Sequence, residues 1–271
     1  TNYLHNPIAF YKQKVLKLKE FEDVEETVAY NTLGTVVHNT LDELYTVFIG
    51  KFLKIDDIDA MKNQSKKLVI KYFKEEFKNG DLSTGRNRLI FEVANRFVIN
   101  FLNQEKELLI DKNNQLKIIA TEENLATEIE IDGIDFPIII HGQVDRVDEL
   151  NGVLRIIDYK TGMVSSSNLR VPNIEDLRDD KHHKAIQVLL YAYIYSKTKN
   201  YNFTKPLEAG IYSFKNLNSG FLSVNFSSNY RKPDLEINQE RLDSFIDEIK
   251  NYIKEIYDLE IPFLEPADLK Y

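Results

Sequence analysis

The 271-residue chain contains no cysteine. That absence excludes disulfides, thiolate zinc sites, iron–sulfur clusters and a cysteine nucleophile together. Long apolar runs are missing too. None approaches the roughly 20 residues that span a bilayer, and no charged-then-apolar leader opens the sequence. The chain is therefore expected to be cytoplasmic, with no membrane partner. Positive charge is in short supply: 35 Lys and Arg stand against 43 Asp and Glu, a net charge of -8. This argues against indiscriminate coating of nucleic acid, since non-specific affinity comes from neutralising phosphates, but it leaves room for a local basic groove. What the chain does have is hydrophobic mass, 43% of its residues, enough for a substantial core. One domain over 1–271 is expected, with a helical part over about 1–115 and a sheet part over about 116–271. The chain opens on Thr1 rather than Met, as expected of a processed or excised part of something longer.

The most informative stretch runs from Ile140 to Met163, I-H-G-Q-V-D-R-V-D-E-L-N-G-V-L-R-I-I-D-Y-K-T-G-M. Two β-branched segments flank Asn151-Gly152, a strong signal for a two-residue type I′ hairpin. With those two residues in the turn, Leu150 faces Val153, Asp148 faces Arg155 as an ordinary cross-strand ion pair, Asp145 faces Asp158, and Gln143 faces Lys160. Alternation places Asp158 and Lys160 on one face with Ile156 and Leu154, and Asp145 on that face with Val147. Opposed residues have Cβ atoms roughly 4.5–5.5 Å apart, where like charges repel. Two carboxylates forced together at the edge of an apolar surface suit a hard divalent cation, with Lys160 placed to act beside it. A bare Asp-x-Lys is a common chance tripeptide and reads as a solvated strand end. Here the second carboxylate falls into register through an independent turn signal, which favours a site.

Around the hairpin, Asn6 and Pro7 mark a helix start, followed by Lys12, Lys14, Lys17 and Lys19 as a solvated face or a phosphate contact. Glu20 to Glu26 reads as a connecting loop. A helix over about Thr32 to Ile49 carries Gly34, His38, Leu41, Tyr45 and Phe48 on one face, where spacing alone makes His38 a core residue. Two amphipathic helices fill Asp56 to Asn114, broken at Asn79-Gly80 and Thr84-Gly85. Strands occupy Ile118 to Ile140 about an Asp132-Gly133 turn, with Glu123 and Glu128 as surface carboxylates, although Glu128 is within reach of the site. Val164 to Asp180 reads as a loop. A helix resumes at Lys181 with Gln187 and Tyr191 on one side, His182 and His183 incidental, and Tyr191 and Tyr195 as core aromatics. Strands at Glu208 to Phe214 and Leu222 to Phe226 and a helix from Gln239 to about Leu259 complete an α/β fold. The expected architecture is a central mixed β-sheet holding the hairpin, flanked by α-helices.

The runs G-Q-V-D-R-V-D and I-I-D-Y-K-T-G resemble motifs II and III of the PD-(D/E)XK nucleases, in particular the RecB-like branch that includes AddA and AddB. Gly34-Thr-Val-Val-His38 is similar to motif I of that branch, and Gln187-x-x-x-Tyr191 to the motif that follows motif III. The resemblance implies a restriction-endonuclease-like fold and a Mg2+- or Mn2+-dependent deoxyribonuclease. His38, Asp145, Asp158 and the main-chain carbonyl of Tyr159 would hold the metal. Asp145, Asp158 and Lys160 would carry the chemistry, with Gln187 and Tyr191 contacting the DNA. It also implies an exonuclease role in end processing and recombination repair beside a helicase subunit or domain. The alternatives are a non-catalytic DNA-binding or scaffolding module, or a CRISPR-, phage- or RNA-directed nuclease. Tyr3 extends the resemblance toward AddB-type domains, but Asn6 stands where they carry an iron–sulfur cysteine, so no cluster is expected.

Overall fold

Apolar residues spaced by three and four wind the first part of the chain into helices, and β-branched alternation takes over near Leu116. The computed structural model describes residues 2–18, 30–76, 84–229 and 231–265. Two short helices, α1 (Asn2–His5) and α2 (Pro7–Phe10), are followed by α3 (Tyr30–Thr46), α4 (Ile55–Glu76) and α5 (Gly85–Ile110). Then come β1 (Leu116–Ile129), β2 (Ile138–Leu150), β3 (Val153–Lys160), α6 (His183–Thr198), β4 (Leu207–Ser213), β5 (Phe221–Ser223) and α7 (Gln239–Tyr257). The acidic run Glu20 to Glu26, Lys19 and the Asn79-Gly80 break lie outside the described residues.

The five strands form one mixed sheet in the order β1-β2-β3-β4-β5. All neighbours are antiparallel except β3 and β4, which run parallel because α6 carries the chain back across the sheet. The expected α/β architecture is thus present. At the hairpin turn Asn151 and Gly152 take φ of 53° and 85°, the left-handed pair a type I′ turn requires. The register follows as expected through Leu150↔Val153, Asp148↔Arg155 and Arg146↔Ile157.

Helices cover both faces. On one, Val147, Leu154, Ile156 and Ile211 pack with Ile186 and Leu189 of α6 and Phe245 of α7. On the other, Ile157, Tyr159 and Tyr212 meet Leu41 and Tyr45 of α3, Phe73 of α4 and Phe101 of α5. Covered by helices on both sides, β3 buries every residue from Leu154 to Tyr159, as a central strand with two covered faces does.

Two readings of the sequence need correcting. Val164 to Asp180 contains 3-10 turns at Ser166–Leu169 and Ile174–Arg178, and Leu169, Val171 and Leu177 are buried in the core. Its apolar residues are too irregularly spaced for a periodic signal, yet they plug the sheet's edge. The Asp148–Arg155 pair, cross-strand as expected, is also no ordinary ion pair. Arg155 Nε donates to Asp148 Oδ1 at 2.7 Å, Arg146 NH2 lies 2.6 Å from Asp148 Oδ2, and Arg146 NH1 lies 2.7 Å from Glu105 Oε1 of α5. Arg146 also lies over the Tyr45 ring at 4.5 Å, and Tyr45 donates to Glu105. All four charged groups are buried, two of each sign, because α3 and α5 close over this face.

At the N-terminus Asn6 Oδ1 accepts from Ala9 N at 3.0 Å as the expected cap, and Lys12, Lys14 and Lys17 are exposed. Tyr3, Phe10 and Tyr11 pack their rings on Phe263, at centroid distances of 6.1, 6.3 and 5.0 Å.

Candidate active site

Because Asn151-Gly152 fixes the hairpin register, the open ends of β2 and β3 bring Asp145 and Asp158 into one neighbourhood. The ladder stops at Arg146↔Ile157, one step before the two aspartates would face each other. There Asp145 Oδ2 accepts from Tyr159 N at 2.5 Å, so a carboxylate takes the place of the next backbone rung. Alternation also slips on β2: Ile140, Val144 and Val147 all pack with the α6 layer, which a strictly alternating strand cannot do. Repulsion between directly opposed carboxylates gives a physical reason for the strands to part here. Asp145 there meets His38 of α3 while staying close enough to Asp158 for its charge to act on that carboxyl. Gln143 pairs with Asn124 on β1, and with the β2–β3 ladder ended at Arg146 it has no paired position at Lys160.

Asp158 stays on β3 with 2% of its surface exposed. Lys160 Nζ donates to Asp158 Oδ1 at 3.1 Å. Oδ2, 2.9 Å from the same nitrogen, is poorly aligned for a hydrogen bond and has no other partner among the described residues. Burial, and then the charge of Asp145, push the Asp158 carboxyl up to about 6. Such a displaced carboxylate marks a functional site or an unbalanced charge cluster.

His38 reaches the same place from α3. Its Nδ1 lies 3.3 Å from Asp145 Oδ1 and its Nε2 lies 3.0 Å from the Tyr159 carbonyl. Burial alone would lower its pKa; the hydrogen bond to Asp145, with the charges of Asp145, Glu122 and Asp158, outweighs burial and raises it. The histidine that spacing placed in the core is thus turned to the carboxylates.

A further acid, Glu122 of β1, was not singled out by any sequence pattern. Its Oε1 lies 4.0 Å from His38 Nδ1, and burial followed by the Asp145 charge pushes its carboxyl up to about 7. Ligand atoms of His38, Glu122 and Asp145 lie within 4.8 Å of one another. A spread of that size, with one imidazole and carboxylate oxygens, fits a divalent cation that also takes water. Asp158 lies beside this trio rather than within it. Glu123 instead pairs with Lys199, and Glu128 borders the turn at Ile131 to Pro137. No signal in the sequence separates Glu122 from its neighbour, since the choice is made by a backbone conformation that neither glycine nor asparagine announces.

Helix α6 supplies the far wall. Gln187 Nε2 donates to Tyr191 Oη at 2.9 Å. Burial raises the Tyr191 pKa, and the charges of Asp158, Asp145 and Glu122 add to it, which puts the phenol in their field. The glycine of the first motif strand has its reason here: a Cβ on Gly142 would lie 2.7 Å from Tyr191 Cε1. Tyr195 is a core residue. His182 is buried and His183 half-buried, and neither joins a cluster of metal-ligating groups among the described residues.

The sequence profile of the PD-(D/E)XK nuclease superfamily matches residues 1–266. No curated protein matches the chain. Among solved structures, the crystal structure of SSO0001 is similar at 14% identity, covering 92% of this chain and 86% of that one, with a TM-score of 0.25. No described helix is long and apolar enough to cross a membrane.

Proposed function

Because the chain belongs to the PD-(D/E)XK nuclease superfamily, we propose that it is a divalent-metal-dependent deoxyribonuclease of the RecB-like branch. It hydrolyses phosphodiester bonds as an exonuclease in DNA end processing and recombination repair, beside a helicase subunit or domain. The observation that carries this reading is the convergence of four separated segments. His38 from α3 meets Asp145 from β2, Lys160 meets Asp158 on β3, and Tyr191 from α6, bonded by Gln187, lies in the field of both aspartates.

His38 and Asp145, with Asp158 alongside and the Tyr159 carbonyl behind the imidazole, would hold the ion, Mg2+ or Mn2+. When bound, the ion acidifies a water and withdraws charge from the phosphate oxygens. Lys160, 30% exposed, orients that water and offsets charge growing on the phosphate during attack. Asp158 keeps the ammonium in place. Tyr191, held by Gln187, gives the DNA strand a flat wall and a hydroxyl. An acidic protein can work on a polyanion in this way because the cation, rather than a basic coat, joins the two.

The test is to incubate single- and double-stranded DNA, end-labelled and circular, with Mg2+, Mn2+ or EDTA. Metal-dependent shortening from ends is expected, absent in Asp158→Ala and Lys160→Ala proteins whose circular dichroism matches wild type. Full activity in either variant sinks the assignment. No degradation by the wild-type protein under any metal condition would favour a DNA-binding scaffold.

A further inference from the structure

Glu122 sits in a regular strand yet does not have a strand conformation. Its φ is +44°, a left-handed value that is unfavourable for a residue bearing a Cβ. The register on either side, Thr121↔Arg146 and Glu123↔Val144, sets it opposite Asp145, the residue where β2 loses its alternation. A bulge between Ile118 and Ala120 precedes the distortion. The outcome is a glutamate turned inward onto Asp145 and His38, its side chain only 22% exposed. Among the described residues His38 is its only ion-pair partner. Backbone strain and like-charge crowding therefore coincide at one position, and they persist in native proteins where the surroundings or a ligand over-determine them.

The imidazole points the same way. His38 Nε2 is engaged by the Tyr159 carbonyl, which leaves Nδ1 facing Asp145 and Glu122. A ligating histidine commonly has its other ring nitrogen tied to a carbonyl, which fixes tautomer and orientation. Resting on the nuclease reading above, we propose that Glu122 is a metal ligand: the ion sits between His38 Nδ1, Glu122 and Asp145, and the Tyr159 carbonyl orients the imidazole. This seat joins α3, β1 and β2. Asp158 of β3 stays alongside it, with Lys160 held on that carboxylate.

The experiment is calorimetric titration of the full chain with Mn2+, together with thermal melts in EDTA, for wild type, Glu122→Gln and Glu123→Gln. Glu122→Gln should weaken Mn2+ binding by about tenfold or more, on the scale at which lost metal-site groups act. Glu123→Gln, whose carboxylate pairs with Lys199, should bind as wild type. In EDTA the Glu122→Gln protein should melt no lower than wild type, because relief of the crowding against Asp145 offsets loss of the long 4.0 Å pairing with His38. If Glu122→Gln does not fold, Glu122→Asn, which tolerates the left-handed backbone, is read by the same criteria. Wild-type affinity in the variant, above all with a lowered melting point in EDTA, would assign the residue a structural role and overturn the inference while leaving the nuclease reading intact. Absence of Mn2+ binding by the wild-type protein would instead overturn both.

Discussion

A methyl group is enough to test how Tyr191 is held. Gly142→Ala would place a Cβ 2.7 Å from the ring, closer than two carbons approach, so the phenol must move while His38 and Asp145 stay. DNA cleavage should lose affinity more than turnover: KM rises several-fold, with Mn2+ binding unchanged by titration. Loss of Mn2+ binding in that variant would show that Tyr191 supports the ion instead. A second expectation at this scale concerns protons. Asp158 at about 6 and Glu122 at about 7 hold protons in the folded state that the unfolded chain releases at ordinary carboxylate values. Metal-free stability therefore falls as pH rises from the ordinary carboxylate range to about 7. His38, whose pKa is raised, contributes in the same sense, its share being lost as pH climbs through its folded value. A bound cation takes the place of these protons. The difference in melting temperature between Mn2+-loaded and EDTA-treated protein should therefore widen from about pH 5.5 to about pH 8, and a constant difference would remove these groups from the metal's surroundings.

At the scale of elements, the face of the β2–β3 hairpin turned to α3 and α5 holds a buried quartet, Glu105, Arg146, Asp148 and Arg155. Asp148→Ala would leave two buried guanidinium groups without their shared carboxylate, an effect of about 3–5 kcal/mol that urea unfolding would resolve. Arg178→Ala, on an exposed side chain bridging to Glu248 and Glu255, should change stability by no more than about 1 kcal/mol. The hairpin itself was legible in the sequence because Asn-Gly turns have one preferred geometry and register follows from the turn. The helices were legible from their three- and four-residue stripes, though α3 ends at Thr46 rather than Ile49. Two things were not. The quartet reads as a single cross-strand pair until α3 and α5 are known to cover it. The end of the β2–β3 ladder before Asp145 and the left-handed turn of Glu122 on β1 are settled by packing among three strands and α3. Local pattern carries no record of such long-range terms.

For the whole molecule, a net charge of -8 sits on a protein assigned to a polyanionic substrate. Without metal, retention of DNA in a gel-shift assay at about 0.15 M salt should be negligible, since few phosphates can be neutralised. Tight, salt-sensitive binding in EDTA would show a basic groove that the arrangement around His38 does not explain. The site also lies where the two helical layers meet the sheet: α3 delivers His38, the strands deliver the carboxylates, and α6 delivers Tyr191. Its geometry is therefore a property of the assembled fold rather than of one motif.

The rings of Tyr3, Phe10 and Tyr11 gathered on Phe263 tie the first helices to the segment after α7. A clasp made of aromatic carbon has no redox chemistry, so air, peroxide and thiol reductants should leave it shut. Its weakness is cold, because apolar association fades on chilling, and a preparation kept near freezing is where its two ends should first come apart.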